Sequence, residues 1–384
     1  MIALDLFAGT GWGVACQRLG IEEYGVEIMP EARAVRAANG MKTWYADVWQ
    51  GLEADVQRFD AAAFFDLYSL LIASPPCQTF SLAGGGAGRR ALDEVLKLID
   101  DRAYLDPVAL REFGETHDPR TALVLTPLAY IARDVPLHVV LEQVPPVLPV
   151  WERYAEEMRA WGYSVWTGIL SAEQYGVPQT RKCAILIARA DGVEAAPPPP
   201  SHSRYYPRDP TRLDPGVEPW VSMAEALGWG MTERPLVTVT GGSGRQGGPD
   251  PLDGGSGARK ILKDAQERGE WVDERTATTV AGDAHIWPPG HKVNADDERR
   301  LGDEARERYG DRAGTKAERV TIAEAAALQS YPPGFVWDAE VVDPRTGKLK
   351  PITKTKTFLQ IGNAVPPLLA EAILIAATGR PSHA

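Results

Sequence analysis

The sequence predicts an α/β fold: a mostly parallel sheet with helices on both faces, plus a smaller irregular β-containing domain. Two observations carry this prediction. Through residue 190, short apolar runs typical of buried strands alternate with helical patterns. A proline run at 197–200 then opens a stretch rich in glycine, proline, arginine and tryptophan. We therefore expect a first domain over residues 1–190, an irregular domain over 191–315, and a return to the first domain over 316–384.

The elements follow in order along the chain. The predicted strands, each a short apolar run, are Ile2–Phe7, Tyr24–Ile28, Leu70–Ala73, Leu137–Leu141, Tyr163–Leu170 and Ala184–Ala188. The predicted helices are Gly11–Leu19, Pro30–Asn39, Thr121–Arg133, Val147–Trp161, Thr321–Gln329 and Val365–Ala377. Pro30 stands in a first helical turn, where its missing N–H is harmless. Thr321 and Glu324 have the spacing of a capping box.

Composition narrows the class of protein. A hydrophobic content of 44% with 24% charged residues is typical of a soluble globular protein. Three widely spaced cysteines do not suggest a disulfide framework, so we expect a reducing, cytoplasmic setting. The sequence shows no metal-ligand motif, signal peptide or membrane span, and we expect no metal and no membrane partner. The net charge of −11 argues only weakly against nucleic acid, because a local basic face suffices for binding.

One cysteine stands where a nucleophile is expected. Ser74-Pro-Pro-Cys-Gln78 directly follows the strand Leu70–Ala73. Ligands of open α/β sheets bind at the carboxyl ends of the strands, and the two prolines restrict the backbone that aims Cys77. The sequence therefore predicts Cys77 as a nucleophile.

The first strand leads into a turn typical of nucleotide sites. Gly9 and Gly11 let a ligand approach the backbone, and the following helix offers free N–H groups. Val14 stands where a dinucleotide fingerprint requires a third glycine, which argues against a nicotinamide dehydrogenase. Glu27 is placed to accept hydrogen bonds from a ribose, and Asp47 is placed to meet an adenine edge.

Two further charges follow strands at the same edge. Glu142 ends the strand Leu137–Leu141, where a partly desolvated carboxyl group can donate a proton. Arg181 precedes the strand Ala184–Ala188 and is a candidate for holding an anion or the edge of a base.

Taken together, these motifs resemble the cytosine-C5 DNA methyltransferases of bacteria and phages. The resemblance covers nearly all of the chain outside 191–315. Six motifs carry it in the family's order. Four are Phe7-Ala-Gly-Thr-Gly11, Pro75-Pro-Cys-Gln78, Glu142-Gln-Val144 and Gln179-Thr-Arg-Lys-Cys183. The fifth is discontinuous and consists of Arg319, Thr321, Glu324, Gln329, Tyr331 and Pro332, and the sixth is Gly362-Asn-Ala-Val-Pro-Pro367.

The resemblance implies a methyltransferase fold of the Rossmann-like type and S-adenosylmethionine as cofactor. It implies a double-stranded DNA partner, a target-recognition domain at 191–315, and a monomer in the cytoplasm of a bacterium or a phage-infected host. Cys77, Glu142 and Arg181 would be catalytic. The implied cofactor-binding residues are Phe7, Gly9, Thr10, Gly11, Trp12, Glu27, Asp47, Pro75, Asn363 and Val365. The implied DNA or substrate contacts are Gln78, Ser81, Arg89, Arg90, Gln179, Cys183 and Arg245.

The chain departs from the family at two positions. Gln143 replaces the asparagine of Glu-Asn-Val, and Cys183 replaces the second arginine of Gln-x-Arg-x-Arg. Loss of that guanidinium removes a charge and several donors, so restoring it by Cys183→Arg is expected to speed turnover. An active DNA methyltransferase is the main prediction. The alternatives are a tRNA cytosine-C5 methyltransferase, a pocket adapted to a modified cytosine or donor, and a weakly active DNA-binding relative.

Overall fold

Seven strands form the central sheet of the protein. The structure, a computed structural model, describes residues 1–53, 68–76, 80, 91–209, 211–227, 285–286, 318–319 and 321–381. The strands of the sheet are β1 (Ile2–Leu6), β2 (Glu22–Val26), β3 (Lys42–Tyr45), β4 (Leu70–Ala73), β5 (His138–Gln143), β6 (Ser164–Ser171) and β7 (Lys182–Arg189). Two short pairs stand apart from it: β8 (His285–Ile286) with β9 (Glu318–Arg319), and β10 (Glu340–Val342) with β11 (Leu349–Pro351).

Helices connect the strands. In the first part of the chain they are α1 (Gly11–Arg18), α2 (Pro30–Ala38), α3 (Val48–Glu53), α4 (Leu92–Asp100), α5 (Pro107–Thr116), α6 (Pro119–Ala122), α7 (Thr126–Asp134) and α8 (Leu148–Ala160). Later helices are α9 (Met223–Leu227), α10 (Ile322–Leu328), α11 (Lys354–Asn363) and α12 (Pro367–Thr378).

The order of the sheet is β3-β2-β1-β4-β5-β7-β6. Strands β1 to β5 pair in parallel, and only β7 runs antiparallel to its neighbours β5 and β6. Because β1, β2, β4 and β5 run in the same direction, their carboxyl ends lie at one edge. The predicted mostly parallel sheet is confirmed, and it collects the strand-end motifs at one place.

Helices cover both faces of this sheet. One apolar cluster joins Leu6, Leu71 and Leu141 to Trp151 and Tyr154 of α8. A second cluster, on the opposite face, joins Ile72 and Ile185 to Trp12, Leu369 and Ile373 of α1 and α12. The alternation of neighbouring residues such as Leu71 and Ile72 between two clusters is the period of two that a strand imposes.

The last part of the chain packs against the sheet. Thr321 caps α10, and its side chain and that of Glu324 form the expected capping box. Helix α12 packs against α1 and β5. Within the described ranges, the helical stretch 354–378 has the length and hydropathy of a membrane span, but 67% of its most apolar window is buried inside the protein.

One predicted helix was wrong, and several elements were not predicted. The expected helix Thr121–Arg133 is broken into α6, a 3₁₀ turn at 123–125, and α7. Pro127 lies in the first turn of α7, where it lacks the N–H that a continuous helix would need. The sequence analysis also missed α4, α5, α11 and the hairpin β10–β11.

Candidate active site

A cleft of about 380 Å³ opens at the carboxyl edge of β1, β2, β4 and β5. Eleven of the predicted site residues line it: Phe7, Gly9, Gly11, Trp12, Glu27, Asp47, Pro75, Glu142, Arg181, Asn363 and Val365. The cofactor-side and base-side predictions therefore meet in one cavity. Cys77, Gln78, Ser81, Arg89, Arg90 and Arg245 lie outside the described residues.

The turn after β1 forms one wall and has an unusual backbone. Phe7 has φ +61° and Gly9 has φ +47°, both in the left-handed region. A non-glycine residue there costs about 1 kcal/mol or more, so the surroundings must hold the turn. They do: Ala8 N–H donates to the Val26 carbonyl at 3.1 Å, and Gly9 N–H donates to Glu27 Oε2 at 2.9 Å.

The two carboxylates predicted to meet a nucleoside differ in their surroundings. Glu27 is 7% exposed, and its other oxygen accepts the Met29 N–H at 2.7 Å. Each of its oxygens keeps a second lone pair for a ligand hydroxyl. Asp47 is half-buried and accepts the Trp49 N–H at 3.1 Å. Both side chains are thus fixed in direction while their free lone pairs border the cleft.

Thr10 differs from its neighbours because it is turned away from the cleft. It is 1% exposed and its hydroxyl shares a 2.5 Å hydrogen bond with the Tyr331 hydroxyl. Next to it, a side chain at Gly11 would overlap the Val365 carbonyl oxygen. Thr10 and Gly11 therefore join the first strand turn to the returning C-terminal segment.

A side chain of the neighbouring strand β5 holds the proline segment that precedes Cys77. Gln143 ends β5 and is 2% exposed. Its Nε2 donates to the Pro75 carbonyl at 2.6 Å, and its Oε1 accepts the Val144 N–H at 2.5 Å. The departure from asparagine at this position thus has a definite structural role: the longer amide bridges β5 and the Pro75–Pro76 segment.

Glu142 and Arg181 form the other side of the cleft. Glu142 is 5% exposed, and the Arg181 Nη2 lies 4.0 Å from its Oε1. The Arg181 Nη1 donates to the Gly362 carbonyl at 2.7 Å. The same guanidinium therefore lies beside Glu142 and holds the segment that carries Asn363.

Cys183 and Gln179 are buried behind this wall and do not line the cleft. Cys183 is 1% exposed beside Glu142 and Arg181, and burial, followed by the Glu142 charge, raises the pKa of its thiol well above the usual range. The fully buried Gln179 donates to the Leu328 carbonyl and to Gln329 Oε1 at 3.2 and 2.7 Å. Gln329 in turn donates to the Ala364 carbonyl at 2.6 Å.

The sequence analysis missed several parts of the lining, among them the segment at 119–123. Pro119, Arg120 and Leu123 border the cleft, where Asp118 caps α6 and pairs with Arg120 at 2.6 Å. The only signal was Asp118 followed by Pro119, the pattern of a helix start. The described residues contain no group of three or more histidine, cysteine or acidic side chains placed to hold a metal ion.

Comparison with known proteins gives consistent matches. A family model described as C-5 cytosine-specific DNA methylase matches residues 1–100 and 112–219. The chain is 27% identical over 390 residues to the type II methyltransferase M1.HphI of Haemophilus parahaemolyticus, covering 96% of this chain and 84% of the relative. It is also 27% identical over 399 residues to M.XorII of Xanthomonas oryzae pv. oryzae, covering 97% and 83%.

Solved structures show the same fold. The S. pombe Dnmt2 methyltransferase superimposes with a TM-score of 0.53 at 16% identity, covering 98% of this chain and 97% of that one. The Entamoeba histolytica methyltransferase EhMeth gives a TM-score of 0.52 at 13% identity, covering 99% and 98%. These likenesses support a methyltransferase fold.

Proposed function

Because the chain belongs to the C-5 cytosine-specific DNA methylase family, we propose that its cleft holds a cytosine of DNA next to Glu142 and a methyl donor next to Glu27. The activity itself, DNA cytosine-5 methylation, follows from the family. The observation that carries the assignment of the site is that both carboxylates, with Pro75 beside them, line one cavity of about 380 Å³.

Cytosine-C5 methyltransferases as a family use S-adenosylmethionine, and the cleft suits that molecule. Gly9 has open space where a side chain would stand, so its backbone is accessible. Apolar walls suit the adenine and carboxylates suit the ribose hydroxyls. The residues proposed to hold it are Phe7, Gly9, Gly11, Trp12, Glu27, Asp47, Pro75, Asn363 and Val365. When bound, it supplies an electrophilic methyl group on a sulfonium.

Cys77 is the proposed nucleophile. Its thiolate adds to C6 of the cytosine, and the electron pair of the C5–C6 double bond moves to C5. C5 would then bond to the methyl group, whose bond to the donor sulfur would break and leave both electrons on that sulfur. Departure of the C5 proton to a base restores the double bond and expels the Cys77 thiolate.

Glu142 is proposed to hold a proton at N3 of the cytosine during the addition, so that negative charge does not accumulate on the ring. The Arg181 guanidinium, 4.0 Å from Glu142, is proposed to orient this carboxyl group and to contact the base edge. Gln143 supports the same step indirectly, since its 2.6 Å hydrogen bond fixes Pro75, two residues before Cys77.

The DNA partner is proposed to be a duplex from which the cytosine is flipped, because C5 and C6 cannot be attacked inside the base stack. Residues 191–315 are proposed to read the target sequence in the major groove. Gln78, Ser81, Arg89, Arg90 and Arg245 are proposed contacts to the base or the phosphates. We also propose a role in restriction–modification, as the type II names of the relatives suggest, in the cytoplasm of a bacterium or phage-infected host.

Radiolabelled methyl transfer tests the assignment. Wild-type protein is expected to label duplex DNA, and Cys77→Ser is expected to lose labelling while it still binds DNA and S-adenosylmethionine. Undiminished labelling by Cys77→Ser would overturn the mechanism. Labelling of tRNA in preference to duplex DNA would favour the RNA alternative.

One observation supports a second candidate. Cys183 in place of the family's arginine leaves the wall behind Glu142 with a neutral, buried side chain where the family has a guanidinium. This favours a pocket adapted to a modified cytosine. Labelling of DNA containing such bases, compared with plain cytosine, separates the two; a denaturation-resistant adduct with 5-fluorocytosine DNA would reject a purely binding protein.

A further inference from the structure

Arg36 is a fully buried arginine on α2, behind the sheet edge that carries the cofactor turn. Burying an unpaired guanidinium is very costly, so a buried arginine must be stabilised by hydrogen bonds and an ion pair. The partners of these bonds indicate which part of the structure Arg36 supports. Its Nη2 donates to both oxygens of Glu23 at 2.6 and 2.8 Å and to the Lys42 carbonyl at 2.6 Å. Its Nε donates to Thr43 Oγ1 at 3.3 Å.

The remaining donor reaches the turn after β1. The Arg36 Nη1 donates to the Gly9 carbonyl at 3.0 Å. The Gly9 N–H donates to the Glu27 carboxylate at 2.9 Å. Charged side chains therefore hold both the backbone N–H and the backbone carbonyl of Gly9. These are stronger than neutral hydrogen bonds, and they act on the turn whose φ angles at Phe7 and Gly9 are positive.

The sequence makes room for this guanidinium. A side chain at Gly25 would overlap the Arg36 Nη2 and would also meet the Ala8 Cβ at 2.8 Å. Gly25 lies in β2 directly opposite Asp5 of β1. Burial and then the Glu23 charge raise the pKa of Asp5 well above its usual range, and Glu23 rather than Asp5 accepts both hydrogen bonds from the Arg36 Nη2.

We propose that Arg36 is a positioning residue for the cofactor turn: it holds the Gly9 carbonyl so that the turn keeps the left-handed shape that S-adenosylmethionine requires. This inference rests on the proposed function of the cleft. Arg36 does not line the cleft, and Gly9 is the lining residue to which it donates a hydrogen bond. Its loss should therefore weaken cofactor binding more than it slows the chemical step.

The test compares Arg36→Lys with a matched control, Arg189→Lys. Arg189 is 8% exposed, pairs with Asp191 at 2.5 Å and donates to the Ala376 carbonyl at 3.1 Å. In the sheet, Arg189 of β7 lies opposite His138 at the amino end of β5, away from the cleft. Both substitutions keep the positive charge and lose the planar guanidinium with its several donors, but only Arg36→Lys removes a contact to the cofactor turn.

For Arg36→Lys we expect the dissociation constant for S-adenosylmethionine, measured by equilibrium binding, to rise about tenfold, the scale of one charged hydrogen bond. The KM for the cofactor should rise in parallel, while kcat at saturating cofactor changes by less than about twofold. Arg189→Lys should leave the dissociation constant unchanged. Unchanged binding by Arg36→Lys, or an equal effect of the control, would overturn the inference.

A second pair decides the matter if Arg36→Lys does not fold. Thr43→Val removes the Nε acceptor, whereas Thr43→Ser keeps it. The valine variant should bind S-adenosylmethionine about threefold more weakly than the serine variant, and equal binding would refute the role of Arg36. Wild-type protein that binds no S-adenosylmethionine would overturn the proposed function itself, whereas wild-type binding with unaltered variants would overturn only this inference.

Discussion

Gln143→Leu tests whether the amide at position 143 is a support for the nucleophile segment. Leucine keeps a similar volume but leaves the Pro75 carbonyl without its 2.6 Å donor in a buried site. An unsatisfied buried carbonyl costs about 1–3 kcal/mol, and the Val144 N–H loses its acceptor as well. We therefore expect the free energy of unfolding to fall by about 2–3 kcal/mol.

The same substitution should slow methyl transfer. Pro75 and Pro76 lead directly to Cys77, and a displacement of about 1 Å at a reacting atom can cost up to about a hundredfold in rate. We expect kcat in single-turnover methyl transfer to fall about tenfold or more. Gln143→Glu, which sets an oxygen against the Pro75 carbonyl oxygen, should be at least as damaging.

Gln17→Leu is the matched control, because the Gln17 amide donates to the Asn39 carbonyl at 2.8 Å on the exposed surface. Its unfolding free energy, from urea denaturation, should change by less than about 0.5 kcal/mol. If Gln143→Leu matched the control in stability and kept wild-type kcat, the support role would be refuted. A change confined to the KM for DNA would instead assign Gln143 to substrate contact.

Four further predictions follow from packing and charge. Gly11→Ala should lower the unfolding free energy by about 1–3 kcal/mol and weaken cofactor binding, because the new methyl group overlaps the Val365 carbonyl; thermal denaturation and equilibrium binding measure both. Cys183→Arg should destabilise the protein by about 3 kcal/mol or more, since it buries a second guanidinium beside Arg181, whereas Cys183→Ser should cost far less. We therefore expect Cys183→Arg to lower turnover, the opposite of the expectation from the sequence alone. Urea denaturation and methyl-transfer assays of both variants test this. Burial raises the pKa of Glu173 to about 7, so between about pH 4.5 and 7 the folded state binds a proton that the unfolded state releases. The contribution of Glu173 to stability should therefore fall as pH rises through this range. Glu173→Gln should abolish this fall and gain up to about 3 kcal/mol over wild type at pH 8, as measured by urea titrations. Thr321→Ala should cost about 1 kcal/mol in thermal stability by removing the capping box of α10, and a loss within error of zero would contradict that account.

Much of the framework follows from local pattern. The strand Leu70–Ala73 has the predicted bounds, and the other predicted strands of the sheet are present with small shifts at their ends. Such buried strands are short apolar runs that need no tertiary information to be recognised. Glu27 and Glu142 were located by the same reasoning, because a polar residue at the end of a buried strand reaches the binding edge of the sheet.

What the sequence did not predict depends on contacts between distant residues. The amide of Gln143 faces Pro75, 68 residues earlier, and no local signal distinguishes that role from a contact with substrate. Gln179 and Cys183 belong to a motif suggestive of DNA contact, yet the structure buries both behind the cleft wall. The antiparallel direction of β7 also lacks a local signature, since an apolar strand reads equally well in both directions.

These long-range contacts explain how one cleft is built from two parts of the chain separated by residues 191–315. Glu142 and Arg181 precede that stretch, and Asn363 and Val365 follow it. The hydrogen bonds of Gln179 to Gln329, Gln329 to Ala364 and Arg181 to Gly362 join the two parts directly. These contacts join the two parts directly, whereas from the intervening stretch Ala195 and Met223 pack into the apolar clusters around the sheet. The groups proposed for catalysis are thus held in register by hydrogen bonds that do not involve the region proposed to read the target sequence.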